Sequence, residues 1–481
     1  MLRAVLRDSV IYSLASMLSK GLAVFLVPLY TRVLSTGDYG AYDLLITLGA
    51  LANLTVAFEI SQGLARYWVE AKNRGDRRRL ASTALWFTAL MYAIFLMVGL
   101  LVSPQLTPLL LGSDSYLEAF RVGLGFIAVN GIYYLLLNQF RWELRSKDYT
   151  LVSLGCAVLT LTFSILFCLG YDQGLIGVML AQLLAVSVMS VIGLWLLRGS
   201  FGGILDFSDL VSMLRFSVPL VPAGLAVFIS LYINRFALNN FGSLADVGLF
   251  GIGSRIAGLS SLMLLGIQAA LTPLVYQHYR ESGTPIHIAR LFGWFSAAAL
   301  FGCLFLGLFA RELLVIFATP DFLGGASLVI YLAPAMLLSQ MYIFAPGIAI
   351  YKKTLWQLWV TVGSAAVSVL SNWLLVPAYG VLGAAIATLL AALVFFGAWL
   401  LVSQRLYYVP YAWKGISISL LVFVGCAQIG EMVNKLSDYL ILAVICKLLL
   451  CLLMAGAVVI SRLVPVSDLK LVANRLRRRR A

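Results

Sequence analysis

Runs of about 20 apolar residues recur along the whole 481-residue chain, and they leave it one kind of architecture. Each is long enough to cross a hydrocarbon core of about 30 Å as a helix. Lipid offers backbone N–H and C=O groups no partner, so these runs must be helices that satisfy their own hydrogen bonds. Fourteen are read, near 9–31, 41–63, 81–103, 118–140, 150–170, 174–197, 216–236, 247–273, 291–311, 325–350, 356–376, 380–403, 413–430 and 439–461. With 62% hydrophobic and 11% charged residues the chain is not a soluble protein. The expected fold is all-α integral membrane, with about 14 transmembrane helices.

The sequence also repeats itself. Gly21-Leu22-Ala23-Val24-Phe25 returns as Gly224-Leu225-Ala226-Val227-Phe228, an offset of 203 that also carries Arg32 onto Arg235. Gly174 to Ala185 lines up with Gly380 to Ala391 at an offset of 206. Six helices per copy is an even number, so both copies enter the membrane from the same side as parallel repeats. The expected organisation is a six-helix repeat over 1–199, a linker over 200–215 that forms an amphipathic helix, and a second six-helix repeat over 216–404. An appended helix pair with a basic tail fills 405–481. Duplication of this kind builds halves that rock around a central site, and it points to transport.

The net charge of +14 is placed as topology rather than as a nucleic-acid surface. Twenty-six of the 34 Lys and Arg fall in alternate loops and the two termini, including Arg66, Lys72, Arg74 and Arg77 to Arg79 between the second and third helices. The opposite loops hold only Arg32, Arg121, Arg235, Arg311 and Lys435. Positive charge collects on the cytoplasmic side, so both termini are expected there. The Arg-rich tail reads as an anchor on anionic headgroups. The first apolar stretch lacks a small-residue cleavage site and reads as a helix rather than a signal peptide. All six cysteines fall in apolar segments as small core residues, and His278 and His287 lack metal-ligand company. No cofactor and no metal are expected.

Chemistry is sought first among ionisable side chains inside the membrane, each of which costs about 2.5–3.5 kcal/mol to insert. Ser9, Ser13, Ser16 and Lys20 share one face of the first helix, a cationic stripe flanked by hydroxyls. Ser254, Gly258, Ser261 and Gln268 share a face of the eighth, with Arg255 at its edge; guanidinium binds phosphate bidentately, whereas the small residues also suit close helix packing. On the second helix Thr55, Glu59, Gln62 and Arg66 share a face, where Glu59 either pairs with Arg66 or Lys20 or forms a proton or ion site. Arg32 and Arg235 end matched helices and read as secondary candidates that also suit snorkelling at the interface. Asp43 reads as a helix N-terminal charge, and Lys447 as structural. On the fourth helix, Asn138 and Gln139 join Asn130, Tyr133 and Tyr134 as a polar, aromatic set. The outward loops are too short for a folded catalytic domain. No Gly-Lys pair, Gly-x-Ser-x-Gly elbow or His-Glu-x-x-His occurs, so an enzyme is disfavoured.

Three stretches resemble the polysaccharide-type flippases of the multidrug/oligosaccharidyl-lipid/polysaccharide exporter superfamily. They are Pro28-Leu-Tyr-Thr-Arg-Val-Leu-Ser-Thr-Gly-Asp-Tyr-Gly40, Asn138-Gln-Phe-Arg-Trp-Glu-Leu-Arg-Ser-Lys-Asp-Tyr149, and Lys352-Lys-Thr354 followed by Asn372 through Thr388. The resemblance implies a bacterial inner-membrane flippase that moves polyprenyl-diphosphate-linked oligosaccharides to the periplasmic leaflet by alternating access, for O-antigen, capsule or exopolysaccharide assembly. Its implied partners are that lipid-linked oligosaccharide, membrane lipids and the polysaccharide polymerase and assembly proteins. Lys20 and Arg255 would meet the diphosphate, and the Ser, Asn, Gln and Tyr faces the sugars. The competing reading is an ion-coupled multidrug or cation antiporter on the same fold, for which Glu59 is the one deep carboxylate.

Overall fold

The computed structural model describes residues 21, 25–203, 205–264, 267–268, 271, 275, 278–436, 440–461 and 463. Among them there is no strand. Eleven helices are long and apolar enough to cross a membrane, or twelve when one bent pair counts as a single span. The protein is an all-α, multi-pass membrane protein. The described residues do not yield the expected fourteen spans. The expected first helix lies largely outside them, and those expected at 356–376 and 380–403 follow one another within Thr354–Leu406, parted by the non-helical Gly380.

The chain forms two compact units, one of residues 1–251 with 317–322, the other of 252–316 with 323–481. The first unit contains α1 (25–33), then α2 (Thr36–Thr55), α3 (Ile60–Glu70), α4 (Arg74–Leu111), α5 (Leu117–Trp142), α6 (Ser146–Ile165), α7 (Gly174–Leu196), α8 (Phe207–Ser217) and α9 (Val221–Phe241). It also takes the start of α10 (Leu244–Gly258). Capping sets these limits. Ser35 and Asp38 form a reciprocal capping box at α2, Asn73 accepts from the Asp76 amide at 2.7 Å to start α4, and Gly112 ends it at φ 69°. The apolar run marks only 81–103 of α4, because the helix continues through polar turns at both ends.

An aromatic chain, Tyr30–Tyr42–Tyr39–Phe322, runs edge to face through the first unit with centroids 5.4–5.8 Å apart. The Thr319 hydroxyl donates to the Thr31 carbonyl at 3.1 Å. Those contacts draw residues 317–322 into this unit although the chain around them belongs to the other.

The second unit contains the rest of α10, α11 (Thr284–Leu308), α12 (Ala310–Phe317), α13 (Val329–Leu338), α14 (Thr354–Leu406), α15 (Trp413–Leu436) and α16 (Leu440–Ile460). Phe344 is fully buried, with the Phe292 and Phe295 rings 5.5 and 5.1 Å away. The Tyr411 hydroxyl, in the loop before α15, donates to the Phe344 carbonyl at 2.7 Å. Burial pushes that phenol's pKa up, so it stays a donor.

Backbone devices recur at matched positions. Gly174 and Gly380, which head the stretches related by 206, are both left-handed at φ 51° and 55°. Leu144 and Lys352, 208 apart, take φ 57° and 54° in the same turn. There Arg145 N donates to Phe140 O at 2.9 Å and Lys353 N to Ile348 O at 3.0 Å. The Ser35–Asp38 cap is matched by Ser243–Asp246, where each serine hydroxyl accepts from its aspartate amide at 3.1 and 3.3 Å.

Candidate functional site

The most irregular point in the first unit is the break between α2 and α3, which turns the chain by 42°. Phe58 and Glu59 hold it in the left-handed region at φ 50° and 51°, a conformation that costs a side-chain-bearing residue about 1–3 kcal/mol. Gln62 hydrogen-bonds the half-buried Glu59 carboxylate, while its Oε2 is buried without a hydrogen-bond partner. Tyr92, from α4, closes the α2 side of the break by donating to Asn53 Oδ1 at 3.1 Å and Ala52 O at 3.2 Å. A polar group of this kind, strained and underused, is a functional candidate on physical grounds. Arg66 does not join it, because it pairs with Glu70 at 2.6 Å in a solvent-accessible i,i+4 bridge.

Toward the end of α2 farthest from the break, Asp43 accepts from Arg235 Nε at 3.1 Å, and both side chains are nearly buried. Arg235 also donates to Asn234 Oδ1 at 2.9 Å, with the Tyr232 and Phe250 rings 5.2 and 5.0 Å from its guanidinium. Asp43 is therefore an ion-pair partner rather than a helix-end charge: it lies eight residues past the Ser35 cap, beyond the reach of the first turn. The pair was legible only as two separate residues, since nothing in the spacing says that α2 meets α9. Arg32, matched to Arg235, is exposed. Near this pair α2 crosses α10 through glycines: a Cβ on Gly40 would fall on Leu244 O, and one on Gly248 on Thr36 O.

Asn138 and Gln139 are buried in the last turns of α5, just before the turn that follows it. Arg141 donates to the Tyr149 hydroxyl at 2.7 Å, Gln139 to Glu143 at 2.7 Å, and Arg145 to Asp148 at 2.8 Å. Much of the Asn138–Tyr149 motif is thus engaged in holding its own turn.

In the second unit Arg255 is half-buried on α10, and the Ser254 hydroxyl beside it is buried without a hydrogen-bond partner. Ser261 accepts from Gln340 at 3.1 Å, and Gln268 is half-buried. Lys447, fully buried on α16, bonds Glu312 of α12, a partner that the sequence reading did not single out. A cavity of about 220 Å³ opens beside Arg311, Ser327 and Glu431. Lys20, Ser13 and Ser16 lie outside the described residues. Among the described residues no cluster of three metal-ligating side chains occurs.

The family of polysaccharide biosynthesis proteins matches residues 5–278, more than half of the chain. The chain belongs to that family. The stretch includes α1 to α10, and with them the helix break, the Asp43–Arg235 pair and Arg255. Among the curated proteins none matches. Among solved structures, the lipid II flippase MurJ in an inward closed conformation is similar with a TM-score of 0.72 at 12% identity, over 93% of this chain and 98% of that one. An inward-facing multidrug resistance MATE family transporter of the MOP superfamily gives 0.62 at 18% identity, over 80% and 95%. A MOP superfamily transporter from Pyrococcus furiosus gives 0.57 at 17%, over 84% and 96%. The polysaccharide biosynthesis family member thus has the fold of these transporters.

Proposed function

We propose that the protein flips polyprenyl-diphosphate-linked oligosaccharide repeat units from the cytoplasmic to the periplasmic leaflet of the bacterial inner membrane, by alternating access, for surface polysaccharide assembly. The observation that carries this reading is membership of a polysaccharide biosynthesis family by a chain with a transporter fold. Lys20 and Arg255 would bind the diphosphate; Ser13, Ser16 and Gln268 would meet the glycan. The carrier tail would remain in lipid while the headgroup crossed, and the polymerase and assembly proteins would take the product.

The test uses purified protein in liposomes carrying a polyprenyl-diphosphate oligosaccharide, with an impermeant lectin reporting the rate at which the glycan reaches the far side. Flipping that needs the protein and falls in Lys20→Met and Arg255→Gln is the expected result. Protein-independent accessibility, over several sugar types and with an imposed ion gradient, would overturn it. One observation favours a second reading, an ion-coupled antiporter: the Glu59 carboxylate, whose Oε2 has no hydrogen-bond partner, sits at a break between helices. Gradient-driven drug efflux that is lost in Glu59→Gln would place that reading first.

A further inference from the structure

We propose that a recess at the start of α4 binds the headgroup of an anionic phospholipid, whose acyl chains lie along the outer face of the same helix. The inference goes beyond the transport reading and holds whichever cargo is moved. The recess has a volume of about 420 Å³ and is lined by Gly75, Arg78, Arg79, Gly202, Gly203 and Asp206.

Charge comes first. Arg78 and Arg79 line it, and Lys72, Arg74 and Arg77 are exposed in the same segment, which makes five cations within eight residues, with Arg77 lying over the Trp68 ring. Against them stand Asp76, Asp206 and Asp209, and all three carboxylates converge on Arg79, at 3.9, 4.0 and 2.6 Å. Asp206 is further occupied in capping α8, accepting from the Asp209 amide at 2.9 Å. The remaining cations form an excess that suits a phosphodiester.

Depth comes second. Immediately after Arg79 the helix turns apolar at Leu80, so the recess sits at the boundary between the polar and hydrocarbon-spanning parts of α4. Trp86 marks the same level: it is 57% exposed, and its indole N–H donates to the Gly203 carbonyl at 3.4 Å, as an interfacial aromatic does. Below it Leu90, Ile94, Met97 and Leu101 are all exposed, and their spacing of four, four, three and four from Trp86 puts them on one face. A headgroup site above a continuous apolar stripe is the shape of a phospholipid, and it disfavours nucleic acid. Phe207 and Val211, exposed one turn apart on α8, add apolar surface beside it.

Rigidity comes third. Gly202 N and Gly203 N donate to the Ser82 hydroxyl at 3.0 and 2.9 Å, Asp206 N to Thr83 Oγ1 at 3.0 Å, and Arg78 Nε to Phe201 O at 2.9 Å. Gly202 has φ 140°, and a side chain there would collide with the Arg78 guanidinium lying against it. The wall is therefore built before any lipid arrives.

The test places the full chain in nanodiscs of phosphatidylcholine and titrates in phosphatidylglycerol with brominated chains, reading quenching of Trp86 as the difference from Trp86→Phe. Quenching should favour brominated phosphatidylglycerol over brominated phosphatidylcholine. An arginine near an anionic headgroup is worth about a factor of 5 in affinity, so Arg74→Gln with Arg78→Gln should weaken the apparent affinity roughly 25-fold. Arg78→Lys, which keeps the charge, should stay near the unmodified protein. Should the glutamine variants lose helix content, salt serves instead, since high ionic strength should abolish the preference at this exposed site. Equal quenching by the two lipids, a preference that survives high salt, or an unchanged affinity in folded glutamine variants would overturn the proposal. So would displacement of the phosphatidylglycerol by polyprenyl phosphate added at a few mole per cent, which would assign the recess to the cargo.

Discussion

The glycine crossing of α2 and α10 makes the sharpest demand on packing. A methyl group on Gly40 would stand 1.8 Å from Leu244 O, and one on Gly248 2.1 Å from Thr36 O, where real Cβ atoms keep at least 3.0 Å from such neighbours. Gly40→Ala therefore forces the helices apart by about 1.2 Å and Gly248→Ala by about 0.9 Å. Overpacking of this kind costs about 1–3 kcal/mol, offset by the roughly 1 kcal/mol that alanine gains over glycine within a helix. The two glycines face each other across one contact, so parting the helices for one methyl makes most of the room for the other. The double variant should then cost no more than Gly40→Ala alone, since the second alanine adds its own helix gain. The measurement is a double-mutant cycle on reversible unfolding of the full chain in mixed micelles. The expected coupling is about 1 kcal/mol or more, and Gly40→Ala should be the worse single change. Effects that add to within about 0.5 kcal/mol, the behaviour of independent sites, would refute the reasoning, as would a stabilising Gly40→Ala.

Two further outcomes follow from buried charge. Asp43→Asn leaves Arg235 among aromatic rings without its carboxylate and should destabilise by about 3 kcal/mol, whereas Asp43→Leu with Arg235→Met should recover most of that loss in the same unfolding assay. Lys447→Met should likewise destabilise by about 3 kcal/mol, because Glu312 is then held without its cation; adding Glu312→Gln should restore much of the stability, and a double variant worse than the single would count against a structural pairing.

Much of the fold was open to reading because it follows from local rules. Apolar length gives helices, and Gly380 separates two apolar runs where the backbone does turn. The bend after Thr55 was not visible. Val56 to Glu59 contain neither glycine nor proline, yet Phe58 and Glu59 take the left-handed region there, a conformation their residue types do not announce. For the candidate site the limit is pairing across helices. Periodicity places Glu59, Gln62 and Arg66 on one face, yet the nearest carboxylate along that face takes Arg66, and Asp43 finds Arg235 from 192 residues away. The polar run Asn138–Tyr149 drew attention for its composition, and its hydrogen bonds show why: a left-handed Leu144 has to be held in place.

What the chain repeats and what it does not are of different kinds. The repeated features are backbone devices: the serine–aspartate caps, the left-handed turns at Leu144 and Lys352, the glycines at 174 and 380, and the paired glycines at 40 and 248. Geometry demands these wherever the same bend occurs, so each copy must keep them. Apart from Arg32 and Arg235, the charges inside the membrane helices do not repeat. At the offset of 203 Lys20 meets Ala223; at the offset of 208 Asp43 meets Gly251, Glu59 meets Ile267, and Arg255 meets Thr47. The Asp43 case shows the physical reason. Gly251 lies against the Asp43 carboxylate, and a Cβ there would stand 3.1 Å from its Cγ. A second carboxylate at residue 251 would be pressed against the first. Arg235 has Asp43, and Arg32 is left exposed. A charge such as Asp43 acts across a contact between helices, while a turn acts within its own stretch of chain. Positions where matched stretches differ in charge are therefore a better guide to a site in such a chain than positions where they agree.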